Sequence, residues 1–590
     1  MKLRVPAINF KLPSYTKKWL LLDGLGIVIG IIGGLGAVFF RFILKYIKIL
    51  FFDILLPLIT INVGGFNIGY MFLPIIGALI VGPVVMFFAP ETKGHGVPEV
   101  MESVALKGGE IRKRVAFLKV AVSSITIGSG GSAGREGPIA QIGATLGSFF
   151  GGLFKLDPQH KKLMVVCGLS AGIAGTFNAP LGGALFGMEV LLRGIGLFNA
   201  MPVILSSVVS VGVASVLIPI ALGEEVGPAF IIDVATSWNP AELPLYIILG
   251  IIFGLLSILW VKGFYLIEDV FDKLKIYPHL KPAIGAFFTG LAIVFFPTYG
   301  IAGVGYEGIE LALVGEITLG LLIALGFLKI LATGFSIGSG GSGGIFAPSL
   351  YIGAMFGTAI GMIFKIIFPG IVSNWTTYSL AGMGALFAGA AQAPINVIIM
   401  IPEMTNDYLL IPPIAIASFI SFFINWIFMK GTSIYTIKLE RRGVKIRMGT
   451  PFILELVKNE EIMTKDVVSL QEKFPVSILE LYFEEHQHHG YPVLNEEKKL
   501  VGVVTLGDLQ KIDEDERKNK IIGDICSREL VTVKAEETVS EALRKMNEFD
   551  IGRVIVVDSE DPNKIKGIVT RTDIMNAYRI ASQNPALSTL

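Results

Sequence analysis

Charge is what this chain has least of. Of 590 residues only 16% are charged against 53% hydrophobic, and mean hydropathy is +0.68. A soluble chain carries nearer a quarter charged residues, so a wholly soluble protein is excluded. Cysteine is almost missing. Cys167 and Cys526 stand far apart in unlike surroundings, which excludes a disulfide framework or a cysteine metal cluster. The net charge of +1 identifies no partner, and no nucleic acid is expected. The apolar part holds no nucleophile–base pair and no metal-ligand spacing, so no enzyme activity and no metal are expected there.

What the chain has in abundance is apolar length. Residues 19–39, 70–88, 244–261 and 411–429 are nearly all apolar, and each is long enough to cross a hydrocarbon core as helix. The first run follows Lys2, Arg4, Lys11, Lys17 and Lys18. It is too long, and lacks the cleavage pattern, for a removable signal. Its basic head, with no acid before Asp23, predicts a cytoplasmic N-terminus. Charge density then changes abruptly near residue 440: of 97 charged residues, 44 fall in 451–590. Lys438, Glu440, Arg441 and Arg442 mark the exit from the membrane, also on the cytoplasmic face. The expected organisation is a cytoplasmic segment 1–18, a membrane domain 19–440, a linker 441–458 and a soluble tail of two units, 459–515 and 520–582.

The membrane domain repeats itself. GSGGSAGREGPIAQIGATLG (128–147) aligns without gaps to GSGGSGGIFAPSLYIGAMFG (338–357), with 11 identities in 20 positions. GLSAGIAGTFNAP (168–180) then matches GMGALFAGAAQAP (382–394), and nine residues after each proline comes an acid, Glu189 and Glu403. The offsets of 210 and 214 agree, which separates a true repeat from shared glycine content. The halves run over about 19–225 and 240–440. Inverted repeats of this kind place a transport site at the midplane, where broken helices meet. Irregular backbone at membrane depth survives only where it lines a cavity or is buried in protein.

A glycine-rich turn that opens a helix leaves backbone N–H groups free, and the helix dipole adds partial positive charge. Such a site binds an anion without trapping it, as a permeant ion requires. The nucleotide-loop pattern G-x-x-x-x-G-K-[ST] is absent. Close helix packing accounts for some of the glycines, yet it does not explain the Arg135–Glu136 pair. An acid at membrane depth is costly and functional by default. At a helix start Glu136 can take the place of a permeating anion, a gate by charge mimicry. The alternative is a structural ion pair with Arg135, but adjacent helical residues point apart.

GREGP (134–138), GIFAP (344–348), the NAPLGG…E run (178–189) and 393–405, ending in EMT, resemble the signature segments of the CLC chloride channel and transporter family. The resemblance implies a polytopic α-helical membrane protein of two inverted repeats, with broken, tilted helices, in the cell membrane and working as a homodimer. It implies chloride or a related anion as permeant ion, with no cofactor required. Glu136 corresponds to the gating glutamate. The anion-binding set becomes His95, Gly134, Arg135, Ile345, Phe346 and Tyr435, with Ile345 and Phe346 acting through backbone amides. Tyr435 would close the inner side, although by position it also suits a membrane-interface aromatic.

Two positions depart from the family pattern. The usual GSGIP reads GHGVP here, so His95 replaces a serine and puts strict chloride selectivity in question. Val190, directly after Glu189, stands where proton-coupled members carry a relay acid. That favours an anion channel over the alternative, a chloride/proton antiporter.

The tail carries two similar units, ending in GVVTLGD (502–508) and GIVTRTD (567–573), which resemble a CBS-domain pair, an α/β module. The resemblance implies that Thr505, Asp508, Thr570 and Asp573 hold the ribose of an adenine nucleotide (ATP, ADP or AMP). The alternative is that they cap the helices that follow. His486, His488 and His489 beside Glu484 and Glu485 fit a solvated helix surface better than a metal site. The combined expectation is a chloride channel gated by Glu136 and regulated by its CBS pair. A membrane-anchored nucleotide sensor is the remote alternative.

Overall fold

The computed structural model describes residues 14–192, 197–225, 227–230, 237–442, 454, 457–486, 488 and 490–583. The first thirteen residues of the expected N-terminal segment, most of the expected linker, and His489 lie outside the described residues. The chain forms two compact units, Met1–Val444 and Lys445–Leu590.

The first unit is helical. Among the described residues, eight helices are long and apolar enough to cross a membrane, and Pro180–Leu192 and Pro394–Thr405 are shorter apolar helices. Glycine decides how closely these helices approach. A Cβ on Gly143 would overlap the carbonyl of Gly168, and one on Gly168 would overlap that of Gly143. This crosses Glu136–Leu153 over Pro158–Phe177 at backbone contact. The second half does the same with Gly353 and Gly382, each blocked by the other's carbonyl at 2.7 Å. Pro158–Phe177 and Trp375–Ala391 both stop at a left-handed residue, Asn178 (φ 55°) and Gln392 (φ 58°). An Ala-Pro step then starts a short helix in each half, Pro180–Phe186 and Pro394–Thr405.

The acid that ends each of these segments explains itself across the repeat. Glu189 accepts the N–H groups of Ile395 (3.1 Å) and Asn396 (2.7 Å). Glu403 accepts those of Leu181 (3.0 Å) and Gly182 (2.7 Å). Each carboxylate therefore satisfies the free first-turn amides of the other half's helix. Such reciprocity is what a two-fold axis between the halves requires.

The second unit holds two copies of one small α/β motif. In each, a short strand pairs parallel with a middle strand, which pairs antiparallel with a third. The strands are Leu470–Gln471, Gly490–Leu494 and Leu500–Thr505, then Thr532–Lys534, Arg553–Val557 and Ile565–Thr570. The ladder shifts at the same place in both, after Val493 and after Val556. Leu500–Thr505 alternates buried and half-buried side chains, the period of a strand with one face in a core. Leu500, Ile555 and Val557 join the two copies in one apolar cluster.

Candidate anion site on the repeat axis

Four helices begin near one another, and none is capped by the side chain of its own N-cap residue: Val97–Leu106, Glu136–Leu153, Tyr306–Val314 and Phe346–Ile367. Their first N–H groups lack intrahelical partners. The loops that lead to them are bonded together. Gly134 and Gly344 exchange both hydrogen bonds, at 2.7 and 2.6 Å. The Gly343 N–H donates to the Gly94 carbonyl (3.3 Å) as the Ala133 N–H does to that of Gly303 (3.2 Å).

Serines complete the weave. The Ser132 N–H donates to Ser336 Oγ (2.9 Å), and its counterpart, the Ser342 N–H, to Thr126 Oγ1 (3.4 Å). Ser132 Oγ meets Thr333 Oγ1 (3.1 Å), and Ser342 Oγ meets Ser123 Oγ (2.9 Å). Every partner is shifted by the same 210 residues. The second serine of each GSGGS, Ser132 and Ser342, binds one half to the other.

Glu136 is 2% exposed. Its Oε1 accepts from the Tyr306 hydroxyl (3.0 Å), and its Oε2 accepts from the Ala347 N–H (3.4 Å). The carboxylate from one half thus sits at the start of the helix that opens in the other. A Cβ on Gly134 would collide with Oε2, so glycine is needed there for the side chain to fold back. Removing a carboxylate from water costs several kcal/mol, and only hydrogen bonds or charge offset it. The Arg135 guanidinium lies over the Tyr306 ring, 5.3 Å from its centre. Among the described residues, Arg135 and Glu136 form no ion pair with each other.

Beyond Glu136 the site becomes aromatic. Phe346 meets Phe387 (4.5 Å), Phe177 (5.2 Å) and Phe186 (6.3 Å) between ring centres. Tyr435, 2% exposed, lies 5.7 Å from His95 and 6.3 Å from Phe186. Ring edges carry positive potential, so such a lining tolerates an anion without holding it. His95 is 2% exposed, and neither ring nitrogen has a hydrogen-bond partner.

Gly134, Arg135, Glu136, Ile345 and Phe346 meet at the Gly134–Gly344 crossing, and His95, Phe346 and Tyr435 are joined through the aromatic cluster. Val190, 5% exposed, follows Glu189 on the segment that closes the cross-cap. Tyr306 escapes a reading of motifs because it lies outside the glycine repeats, and Phe387 because nothing within the 382–394 repeat marks it out. The tail residues do something simpler. Thr505 donates its N–H (2.9 Å) and hydroxyl (2.7 Å) to Asp508 Oδ2, and Thr570 does the same to Asp573 (2.9 and 2.7 Å). These are capping boxes. A cavity of about 470 Å³ between the two motifs is lined by Thr505, Ser527, Asp550 and Arg553.

Comparison with known proteins settles the family. The family model for the voltage gated chloride channel matches residues 77–425, and the CBS domain matches 460–515 and 522–580. The chain belongs to the CLC family. The H(+)/Cl(-) exchange transporter ClcA of Salmonella typhi is 34% identical to it over 345 residues, 56% of this chain and 69% of the relative. ClcA of Salmonella typhimurium matches equally. The crystal structure of a slow cyanobacterial Cl⁻/H⁺ antiporter is 26% identical, with a TM-score of 0.62 over 71% of this chain and 97% of the other. A eukaryotic CLC transporter, at 19% identity, shares the fold over 95% of this chain and 98% of its own, with a TM-score of 0.63. As a CLC protein the chain is a multi-pass membrane protein that transports anions, a process without covalent chemistry.

Proposed function

We propose that this CLC protein exchanges chloride for protons across the cell membrane, with Glu136 as the group both ions use. The observation that carries it is the Glu136 carboxylate seated against the Ala347 N–H and under the Tyr306 hydroxyl, in an anion's place. Protonation or a competing anion releases it. His95, Gly134, Arg135, Ile345, Phe346 and Tyr435 then line the anion's way, Ile345 and Phe346 through their amides.

The channel expectation drawn from Val190 gives way to the alternative. Curated relatives that are 34% identical are named as H⁺/Cl⁻ exchangers, and a 26% identical structure is titled as a Cl⁻/H⁺ antiporter. Valine cannot hold a proton, so protons bypass position 190. Glu189 is a poor substitute, because both its oxygens already accept backbone N–H groups. We further assign a homodimer, with both termini cytoplasmic. The cavity beside Thr505 and Arg553 is the place for an adenine nucleotide. Asp508, Thr570 and Asp573 serve as helix caps.

The test is chloride efflux from proteoliposomes with external pH recorded. Uphill proton movement at a fixed ratio to chloride is expected. Chloride flux without proton movement would return the protein to the channel class.

A further inference from the structure

The groups beside Glu136 line two cavities, and Tyr306 stands between them. Its hydroxyl bonds the Glu136 carboxylate (3.0 Å). Its ring is fixed by Phe230 (5.1 Å between ring centres) and by the Arg135 guanidinium. Tyr306, Arg135 and Arg41 belong to both linings, and every other lining residue belongs to one alone. With both termini cytoplasmic, the end of helix Ser14–Lys48 that carries Arg41, Lys45 and Lys48 lies outside, and both cavities with it.

The first cavity holds about 630 Å³. Four cations, Arg41, Lys45, Lys48 and Arg135, line it against two acids, Glu224 and Glu307. Both acids are already taken: Glu224 by Arg41 (2.7 Å) and Lys45 (3.6 Å), Glu307 by Lys48 (3.0 Å). Phe52, Tyr70 and Ile127 form apolar wall beside them. An excess of positive charge over a low-dielectric wall concentrates anions and repels protons.

The second cavity holds about 540 Å³ and has no lysine. Glu225 and Glu310 line it, with Thr176, Asn178 and Ser215. Two cations, the shared Arg41 and Arg135, meet two acids there, so its charge balances. Glu225 and Glu310 are exposed and, among the described residues, enter no ion pair. Hydroxyls, an amide and unpaired carboxylates hold water and hand protons along it.

We propose that the outer approach to Glu136 forks at Tyr306. Anions arrive through the cavity of Lys45 and Lys48, and protons through that of Glu225 and Glu310. A proton passed by water beyond Glu310 goes to the Glu136 carboxylate, which becomes a neutral acid and leaves the anion's place. The inference deepens the exchange reading and rests on it.

The test plugs each branch in protein that has already folded. Ser215→Cys, in the Glu310 branch, and Thr298→Cys, in the Lys48 branch, are labelled in detergent with a bulky neutral methanethiosulfonate and then reconstituted. The parent, treated alike, controls for Cys167 and Cys526. Each label is made in wild type and in Glu136→Gln, whose chloride flow needs no proton. The Ser215→Cys label is expected to slow proton-coupled exchange about ten-fold, and to leave chloride flow through Glu136→Gln within about two-fold. The Thr298→Cys label is expected to slow both. Equal slowing of both fluxes by the Ser215→Cys label would show a single shared approach and overturn the proposal, as would unchanged exchange. A second reading uses the wild-type background alone. There the Thr298→Cys label is expected to raise the half-saturating external chloride. The Ser215→Cys label is expected to move the external pH of half-maximal rate downward, because more acid is needed. Labels that move the same parameter would refute the fork. Wild type that moves chloride without protons would end the exchange reading and the proton branch together. Wild type that exchanges leaves the labels to decide the fork alone.

Discussion

The two halves of the membrane unit share a backbone design and differ in what they hang on it. Gly134 faces Gly344, and Glu189 mirrors Glu403. At the centre the symmetry fails. Arg135 and Glu136 stand where the other half has Ile345 and Phe346, and His95 stands where it has Val304. Symmetric positions carry glycines, serines and caps, which any anion site at a helix junction needs. Asymmetric positions carry Arg135, Glu136 and His95. A two-fold frame offers an anion the same amides from both sides, and only unequal side chains can make one side a gate.

The sharpest way to break the comparison is to make the centre symmetric. Glu136→Gln removes the acid at the Gly134–Gly344 crossing, and proton movement in proteoliposomes is expected to fall by about a hundredfold while chloride still flows. Retained proton coupling would move the gate elsewhere.

The cross-caps test the shared frame. Glu189→Gln and Glu403→Gln each leave a buried amide without its carboxylate partner. Each is expected to cost about 1–3 kcal/mol in thermal unfolding, by similar amounts. A much larger transport defect from Glu189→Gln than from Glu403→Gln would show that this pair, too, has diverged.

Tyr306→Phe deletes one hydrogen bond to the seated carboxylate. About 1 kcal/mol is expected, so about five-fold less chloride should displace the side chain, read as the half-saturating concentration for flux. The smallest effect is expected from Val190→Glu. If protons bypass this position, the proton-to-chloride ratio stays as it is in wild type. A restored or altered ratio would place the route through residue 190.

The fold was readable because its markers are local. Long apolar runs, the GREGP and GIFAP loops and the drop in hydropathy near residue 440 each need only neighbouring residues to be interpreted. Glu136 was readable for the same reason, being an acid inside an apolar, glycine-rich repeat. Tyr306 was not, because its partner lies 170 residues away and nothing nearby distinguishes it from a membrane-interface tyrosine. Thr505 and Thr570 looked alike in sequence and cap alike, but only Thr505 lines the cavity between the tail motifs.

By itself the sequence determined that the chain spans a membrane, that its membrane part is duplicated, and which acid lies at the centre. Those are matters of composition, period and repetition. Which oxygen meets which amide and which glycines are in backbone contact were decided by the tertiary structure alone. Each joins residues far apart in the chain, in low-dielectric surroundings where an unmatched charge or amide is costly.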